Sequence, residues 1–206
     1  MIVIIDYGLG NINAFINIYK KLDVPIRIAK SVEDLKEATK IILPGVGAFD
    51  HAMAKLNESG MRQKLDELVL EQHIPVIGIC VGMQILANSS DEGVLPGLGW
   101  INGTVKKFDE TKILHSTHLP HMGWNDVKPL QSDDLFTTII EEPIFYFLHS
   151  YYFHCIDPAN TIGVSDYGGG VFSCAVKANN IYGVQFHPEK SHNFGVQLLK
   201  NFAYLA

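Results

Sequence analysis

Residues 76–84 read Val-Ile-Gly-Ile-Cys-Val-Gly-Met-Gln, and how this stretch is read decides the fold. An apolar run that starts after Pro75 reads as a buried strand, yet it stops at a lone cysteine between two glycines. Gly78-Ile79-Cys80-Val81-Gly82 has the form G-x-C-x-G, the thiol version of the nucleophile elbow, in which a strand turns sharply into a helix. Glycines two positions to either side leave room for the neighbouring strand and helix. A helix opening over Gly82–Ala87 sets its positive end under the sulfur, which favours thiolate. The backbone N–H of Val81 then points at a developing oxyanion. A free cysteine is more often a buried, inert core residue, so the pentapeptide needs support from elsewhere in the chain.

Outward from the elbow, short apolar runs recur at Ile2–Ile5, Val24–Ile28, Ile41–Leu43 and Pro75–Ile79. Between the first two, Ile12, Phe15, Ile16, Tyr19 and Leu22 mark one face of a helix over Asn11–Leu22. Strands alternating with helices imply right-handed βαβ units and a parallel sheet. Ser31 reads as the N-cap of a helix with acids in its first turn, and Met61–Gln72 as an amphipathic helix with Met61, Leu65, Leu68 and Val69 on one face. The second half changes character. Trp100–Phe108, Ile144–His149, Tyr151–Cys155, Val171–Lys177 and Ile181–Phe186 read as closely spaced strands with few helices between them. A last helix, about Ser191–Tyr204, offers Phe194, Leu198, Phe202 and Leu205 for burial. Repeats and linkers are absent. The expectation is one α/β domain over residues 1–206, its central sheet mixed but largely parallel, flanked by helices and extended by antiparallel strands.

The bulk numbers bound the partners. With 206 residues, 47% of them hydrophobic and 18% charged, the chain can bury a core without staples. A net charge of −6 argues against nucleic acid, which requires a basic face. Three cysteines, an odd number, speak for a reduced compartment. The opening MIVIIDYGLGN lacks a basic n-region and a small-residue cleavage site. The longest nearly apolar run, Pro75–Ala87, is too short to span a membrane. A cytoplasmic protein is expected.

A thiolate nucleophile needs a base, and the base needs orienting. Gln185-Phe186-His187-Pro188-Glu189-Lys190-Ser191 offers both. His187 ends an apolar strand, Pro188 breaks the ladder, and Glu189 falls on the same side as His187 if the chain stays extended. A carboxylate there holds the imidazole tautomer and stabilises its charged form.

Taken with GICVGMQ at 78–84, the segment GVQFHPEKS at 183–191 makes the chain resemble the class I (triad) glutamine amidotransferases. The closer resemblance is to the glutaminase subunits that serve histidine biosynthesis. It extends through IDYGLGNI at 5–12, LPGVGAF at 43–49, GLGWINGTV at 97–105, HMGWNDV at 121–127, FYFLHSYY at 145–152 and LLKNF at 198–202. The resemblance implies a Cys80, His187, Glu189 trio that hydrolyses glutamine, with no cofactor and no metal. It places Gly45, Gln84, Glu92, Ser150 and Tyr151 around the substrate. It also makes Pro44-Gly45-Val46-Gly47 an oxyanion strand, in which Val46 and Gly47 join Val81. Two glycines make a peptide flip sterically cheap, so the Val46 N–H is expected to swing in when a partner signals. The implied partner is a (β/α)₈ cyclase subunit, forming a heterodimer and receiving the ammonia, because nothing in the chain reads as a phosphosugar site. The first helix, GNINAFINIYKKL, is similar to paralogues that supply ammonia for amidino-sugar formation in surface-polysaccharide synthesis, which leaves the acceptor open.

Other signals read as structural. Asp6–Asn11 contains G-x-G but lacks the third glycine of a dinucleotide fingerprint. His115, His118 and His121 lack a cysteine or carboxylate to complete a zinc set. Cys155 and Cys174 read as core, Trp100 and Trp124 as sheet packing, and Asp133, Asp134, Glu141 and Glu142 as solvated faces. A cysteine peptidase or a catalytically idle binding module would share the elbow. The former lacks the pairing of Gln84 with HPE, and the intact trio argues against the latter.

Overall fold

A computed structural model of the chain describes residues 1–111, 113, 118–130, 134–139, 142–168 and 170–205. His115, Asp133 and Glu141 lie outside the described residues. The first half runs β1 (Ile2–Ile5), α1 (Ile12–Lys21), β2 (Ile26–Ala29), β3 (Lys40–Gly45), α2 (Phe49–Glu58), α3 (Arg62–Asp66), β4 (Val76–Cys80) and α4 (Val81–Gln84). The second half adds β5 (Ser89–Ser90), β6 (Gly103–Lys107), β7 (His121–Asp126), β8 (Lys128–Pro129), β9 (Ile144–His149) and β10 (Tyr151–Cys155). It closes with β11 (Thr161–Tyr167), β12 (Gly170–Ala178), β13 (Ile181–Val184) and α5 (His192–Ala203).

The main sheet has the strand order β2-β1-β3-β4-β13-β12-β10-β6-β5. From β2 to β13 every pairing is parallel, and β1, β3, β4 and β13 are apolar nearly throughout, as strands covered on both faces must be. Antiparallel pairing takes over at β12 and continues through β10 and β6, so the expected mixed sheet is the one that forms. β7 and β9 form a separate antiparallel pair.

Several local expectations are corrected. The turn after Ser31 is a single 3₁₀ turn, Glu33–Leu35, and Ser31 does not cap it. Instead, Asp34 Oδ2 accepts from the backbone N–H groups of Lys30 and Ser31 and from the Ser31 hydroxyl, at 2.9–3.0 Å, so the acid reaches back over the turn. The helix expected over Met61–Gln72 widens after Asp66 into a π turn, Glu67–Glu71, that keeps Leu68 and Val69 both buried. Helix α2 went unread, although Phe49, Ala52, Met53 and Leu56 carry helical spacing and are all buried. Trp124 does not pack the main sheet. Alternation along β7 turns His121 inward, so Met122 and Trp124 face outward, and the indole stacks on His192 at 5.0 Å. Trp100 is buried, its Nε1 donating to Asp66 Oδ1 at 2.7 Å, and Cys155 and Cys174 are buried. Asp134 and Glu142 are exposed.

The elbow forms, but the helix expected over Gly82–Ala87 is a single turn, Val81–Gln84. Cys80 closes β4 at φ 56° and α4 begins at the next residue. A Cβ on Gly82 would sit 1.9 Å from the Leu43 carbonyl oxygen of β3, and one on Gly78 2.5 Å from the Gly82 carbonyl oxygen. Backbone atoms cannot yield at such distances. Gly82→Ala is therefore expected to cost about 3 kcal/mol, lowering the melting temperature by roughly 10 °C. A variant melting with the parent in differential scanning calorimetry would show that α4 can move off β3.

Candidate active site

The register of the parallel strands delivers the site. Gly45 on β3 pairs with Cys80 on β4, Val184 on β13 pairs with Ile79, and His187 follows three residues beyond Val184. The carboxyl ends of three adjacent strands thus meet at one edge, where open α/β sheets bind ligands. There a cavity of about 300 Å³ is lined by Val46, Gly47, Cys80, Val81, Gln84, Glu92, Leu148, His149, Ser150, Tyr151, His187 and Lys190, among others. Of the expected site residues, only Gly45 and Glu189 stand behind this lining. A larger hollow of about 600 Å³ beside β8 and β11 offers Asp126, Lys128 and Glu142 but no cysteine or histidine.

His187 and Glu189 do meet, though not through an extended chain. Pro188 opens a 3₁₀ turn, Pro188–Lys190, and Glu189 folds back so that its Oε1 lies 3.0 Å from His187 Nδ1. The turn is clamped: the His187 N–H donates to the Tyr146 carbonyl at 2.8 Å, and the Ser191 hydroxyl to the His187 carbonyl at 2.6 Å. Both members of the pair are almost fully buried. Glu189 Oε2 is buried and has no hydrogen-bond partner among the described residues. Burial alone would depress the imidazole. Hydrogen bonds to Cys80 and Glu189, together with their charges, outweigh it and push His187 up to about 10. The surroundings therefore favour the charged form of His187.

The wall around Tyr151 is held by a chain of hydrogen bonds. Tyr151 O accepts from His149 Nδ1 at 2.7 Å and from Gln84 Nε2 at 3.2 Å. His149 Nε2 lies 3.0 Å from His121 Nδ1, and His121 Nε2 lies 3.2 Å from Asn125 Nδ2. Since a carbonyl only accepts, the tautomers follow: His149 carries its proton on Nδ1, and His121 must supply its own from Nδ1. Both rings are neutral. Burial pushes His121 down to about 4 and His149 down to about 3. His121, read above only as an incomplete zinc ligand, is thus a partner of His149.

Gln84 and Glu92 line the cavity and also serve the scaffold. Glu92 Oε2 accepts the Phe49 N–H at 2.8 Å, capping α2 from outside because Ala48 has no side chain able to do so. Gln84 Nε2 donates to Gln185 Oε1 at 3.1 Å as well as to Tyr151. At the end of β3, Tyr7 Oη donates to the Pro44 carbonyl at 2.6 Å, and burial pushes that phenol up. Gly47 holds φ 93° with open space around it. Lys190, His149 and Gln185 went unread in the sequence. Lys190 sits in the HPEKS segment, and its Nζ lies 5.5 Å from the centre of the Tyr146 ring.

Comparison with known proteins places this arrangement. Residues 3–206 match the family described as glutamine amidotransferase class-I. The chain is 60% identical over 203 residues to the imidazole glycerol phosphate synthase subunit HisH of Bdellovibrio bacteriovorus, covering 98% of this chain and 99% of that one. It is 52% identical to the subunit of the same name from Leptospira interrogans, over the full length of both. A crystal structure of a glutamine amidotransferase superposes with a TM-score of 0.72 at 16% identity, covering 97% of this chain and 96% of that one, which speaks to the fold alone. With one family matched across nearly its whole length, the chain belongs to the class I glutamine amidotransferases.

Proposed function

We propose that the chain hydrolyses L-glutamine with Cys80, His187 and Glu189 and passes the ammonia to a (β/α)₈ cyclase subunit that forms imidazole glycerol phosphate in histidine biosynthesis. Residues 1–206 act as one domain, in the cytoplasm. Among the described residues no helix is long and apolar enough to cross a membrane. The observation that carries the reading is Cys80, held at positive φ at the head of α4, sharing a cavity with a charged His187 backed by Glu189. The names of the relatives support the choice of acceptor.

The steps follow from the geometry. The Cys80 thiolate attacks the side-chain amide carbon of glutamine, and the Val81 N–H, joined by the 46–47 backbone, holds the oxyanion. His187 donates its proton to the departing nitrogen, releasing ammonia and leaving a glutamyl thioester. Neutral His187 then takes a proton from water, which attacks the thioester and frees glutamate and the thiolate. Glu92, with one oxygen on Phe49, receives the substrate ammonium, and Ser150, Tyr151, Gln84 and Gly45 hold the amino-acid end. Glu189 keeps the imidazole oriented and charged. Exposed Met122 and Trp124 on β7 lie beside Ile144, Tyr146 and cavity-lining Leu148 on β9, and exposed Val46 stands at the same cavity. That apolar face is where an ammonia-receiving subunit has to seat.

Three measurements test this. Glutamine turnover by the chain alone should be slow, and it should rise by orders of magnitude with the histidine-pathway cyclase and its ribulosyl ligand, falling to background in Cys80→Ala. Labelling of Cys80 by a thiol-alkylating glutamine analogue without such stimulation would point instead to an amidino-sugar acceptor, and no labelling to an idle module. Gly47→Ala meets no atom within 4 Å, but alanine at φ 93° is strained, so the variant should fold and melt a few degrees below the parent. It should lose turnover in the complex about tenfold or more with little change in glutamine affinity; equal losses in both would remove the oxyanion role. By NMR, His187 should stay protonated at pH 8, and Cys80→Ala should lower its midpoint. Since its folded-state value of about 10 lies above the ordinary 6.5, the stability it contributes is complete below about pH 6.5 and fades as pH rises through about 10. A midpoint near 6.5 in the parent would show that the charged pair does not form.

A further inference from the structure

Gln185 is fully buried between β13 and His187, its backbone N–H bound to the Cys174 carbonyl at 2.8 Å. The orientation of its side-chain amide can be read from a backbone carbonyl. Tyr151 O only accepts, so the Gln84 atom 3.2 Å from it is nitrogen. The same nitrogen stands 3.1 Å from the Gln185 carboxamide, which must present its oxygen there. Gln185 Nε2 is left facing Cys80 Sγ at 3.8 Å. Turning the amide over would set its oxygen against the sulfur and oppose two NH₂ groups. The Tyr151 carbonyl cannot drift to relieve this, because His149 Nδ1 holds it at 2.7 Å.

We propose that Gln185 is a further catalytic residue, donating a side-chain N–H to the Cys80 sulfur, and that Gln84 is the positioning residue that keeps this N–H aimed. A hydrogen bond to the charged form favours that form, so the donor stabilises the resting thiolate. It acts again when the thioester is cleaved and the sulfur departs with its electron pair, since a better-stabilised thiolate leaves more readily. On this account Gln84 does more than contact substrate. It ties the carbonyl of Tyr151, on the glutamine side of the cavity, to the nucleophile on the other. The inference rests on Cys80 being the nucleophile of the glutaminase proposed above, but its test requires no glutamine.

The test is the pH dependence of Cys80 alkylation by iodoacetamide in the full chain, resolved from buried Cys155 and Cys174 by mass spectrometry. In Gln185→Met the midpoint should rise by about one pH unit, slowing alkylation at pH 7 roughly tenfold, because the reagent reads the thiolate fraction. Gln84→Met, which frees the Gln185 amide to turn, should fall between that variant and the parent. Profiles that superimpose on the parent would overturn the assignment. Should Gln185→Met fail to fold, the parent decides by NMR: the Gln185 side-chain amide signals must move as Cys80 titrates, and stay fixed in Cys80→Ala. Signals in the parent that ignore the titration would equally overturn it. A shifted alkylation profile in a chain that never hydrolyses glutamine, even with the cyclase, would sink the glutaminase reading and overturn the catalytic role of Gln185, leaving only its hydrogen bond to Cys80.

Discussion

The structure turns on the passage of the Gly82 backbone beneath the Leu43 carbonyl, where a single added carbon would lie 1.9 Å from oxygen. That contact lets α4 start immediately after β4, and an immediate start forces Cys80 to φ 56°. A non-glycine residue held there costs about 1–3 kcal/mol and persists only where its surroundings over-determine it. Here the surroundings are two parallel ladders: β3 fixes Gly45 opposite Cys80, and β13 fixes Val184 opposite Ile79. The same two ladders bring the 44–47 segment and the HPE turn to the sulfur. Strain at the nucleophile and assembly of the site therefore have one cause.

Three imidazoles near the cavity show how the surroundings decide charge. Burial disfavours the charged form of each. Among the described residues His121 and His149 hydrogen-bond to each other, an amide and a carbonyl and pack against aromatic rings, so burial wins and they fall to about 4 and about 3. His187 is buried too, yet it lies between Cys80 and Glu189 and rises to about 10. The neutral pair can then act as a rigid strut with one set of tautomers, holding Tyr151 O in place, while the third ring keeps its charge. Exchanging these surroundings would leave the site without its acid and put an unpaired charge in the core.

Much of this was legible in the sequence, and the boundary is physical. Cys80 announces itself because glycines at both flanks have few other uses, and His187 because Pro188 and Glu189 crowd a strand end. The parallel sheet follows from strands and helices in alternation. What escaped reading was whatever depends on distant partners. Gln185 is an ordinary polar residue until Gln84, 101 positions away, fixes which end of its amide meets the sulfur. His121 acquires its role only when β7 pairs with β9 and sets it on His149. Ser31 and Asp34 offered two ways to cap one turn, and local sequence could not say which oxygen would gather the donors. Trp124 looked like core because aromatic residues usually are, whereas the alternation of β7 had already spent its inward positions on His121 and Asn125.

The β7–β9 pair joins the outer face to the chemistry by a short route. Leu148 turns its side chain toward solvent beside Met122, while its carbonyl oxygen lies 4.0 Å from Cys80 Sγ. The next residue, His149, holds Tyr151 O, and two further hydrogen bonds lead from there through Gln84 to Gln185. Gln185 Nε2 faces the same sulfur at 3.8 Å. The backbone of β9 therefore borders both the exposed apolar face and Cys80.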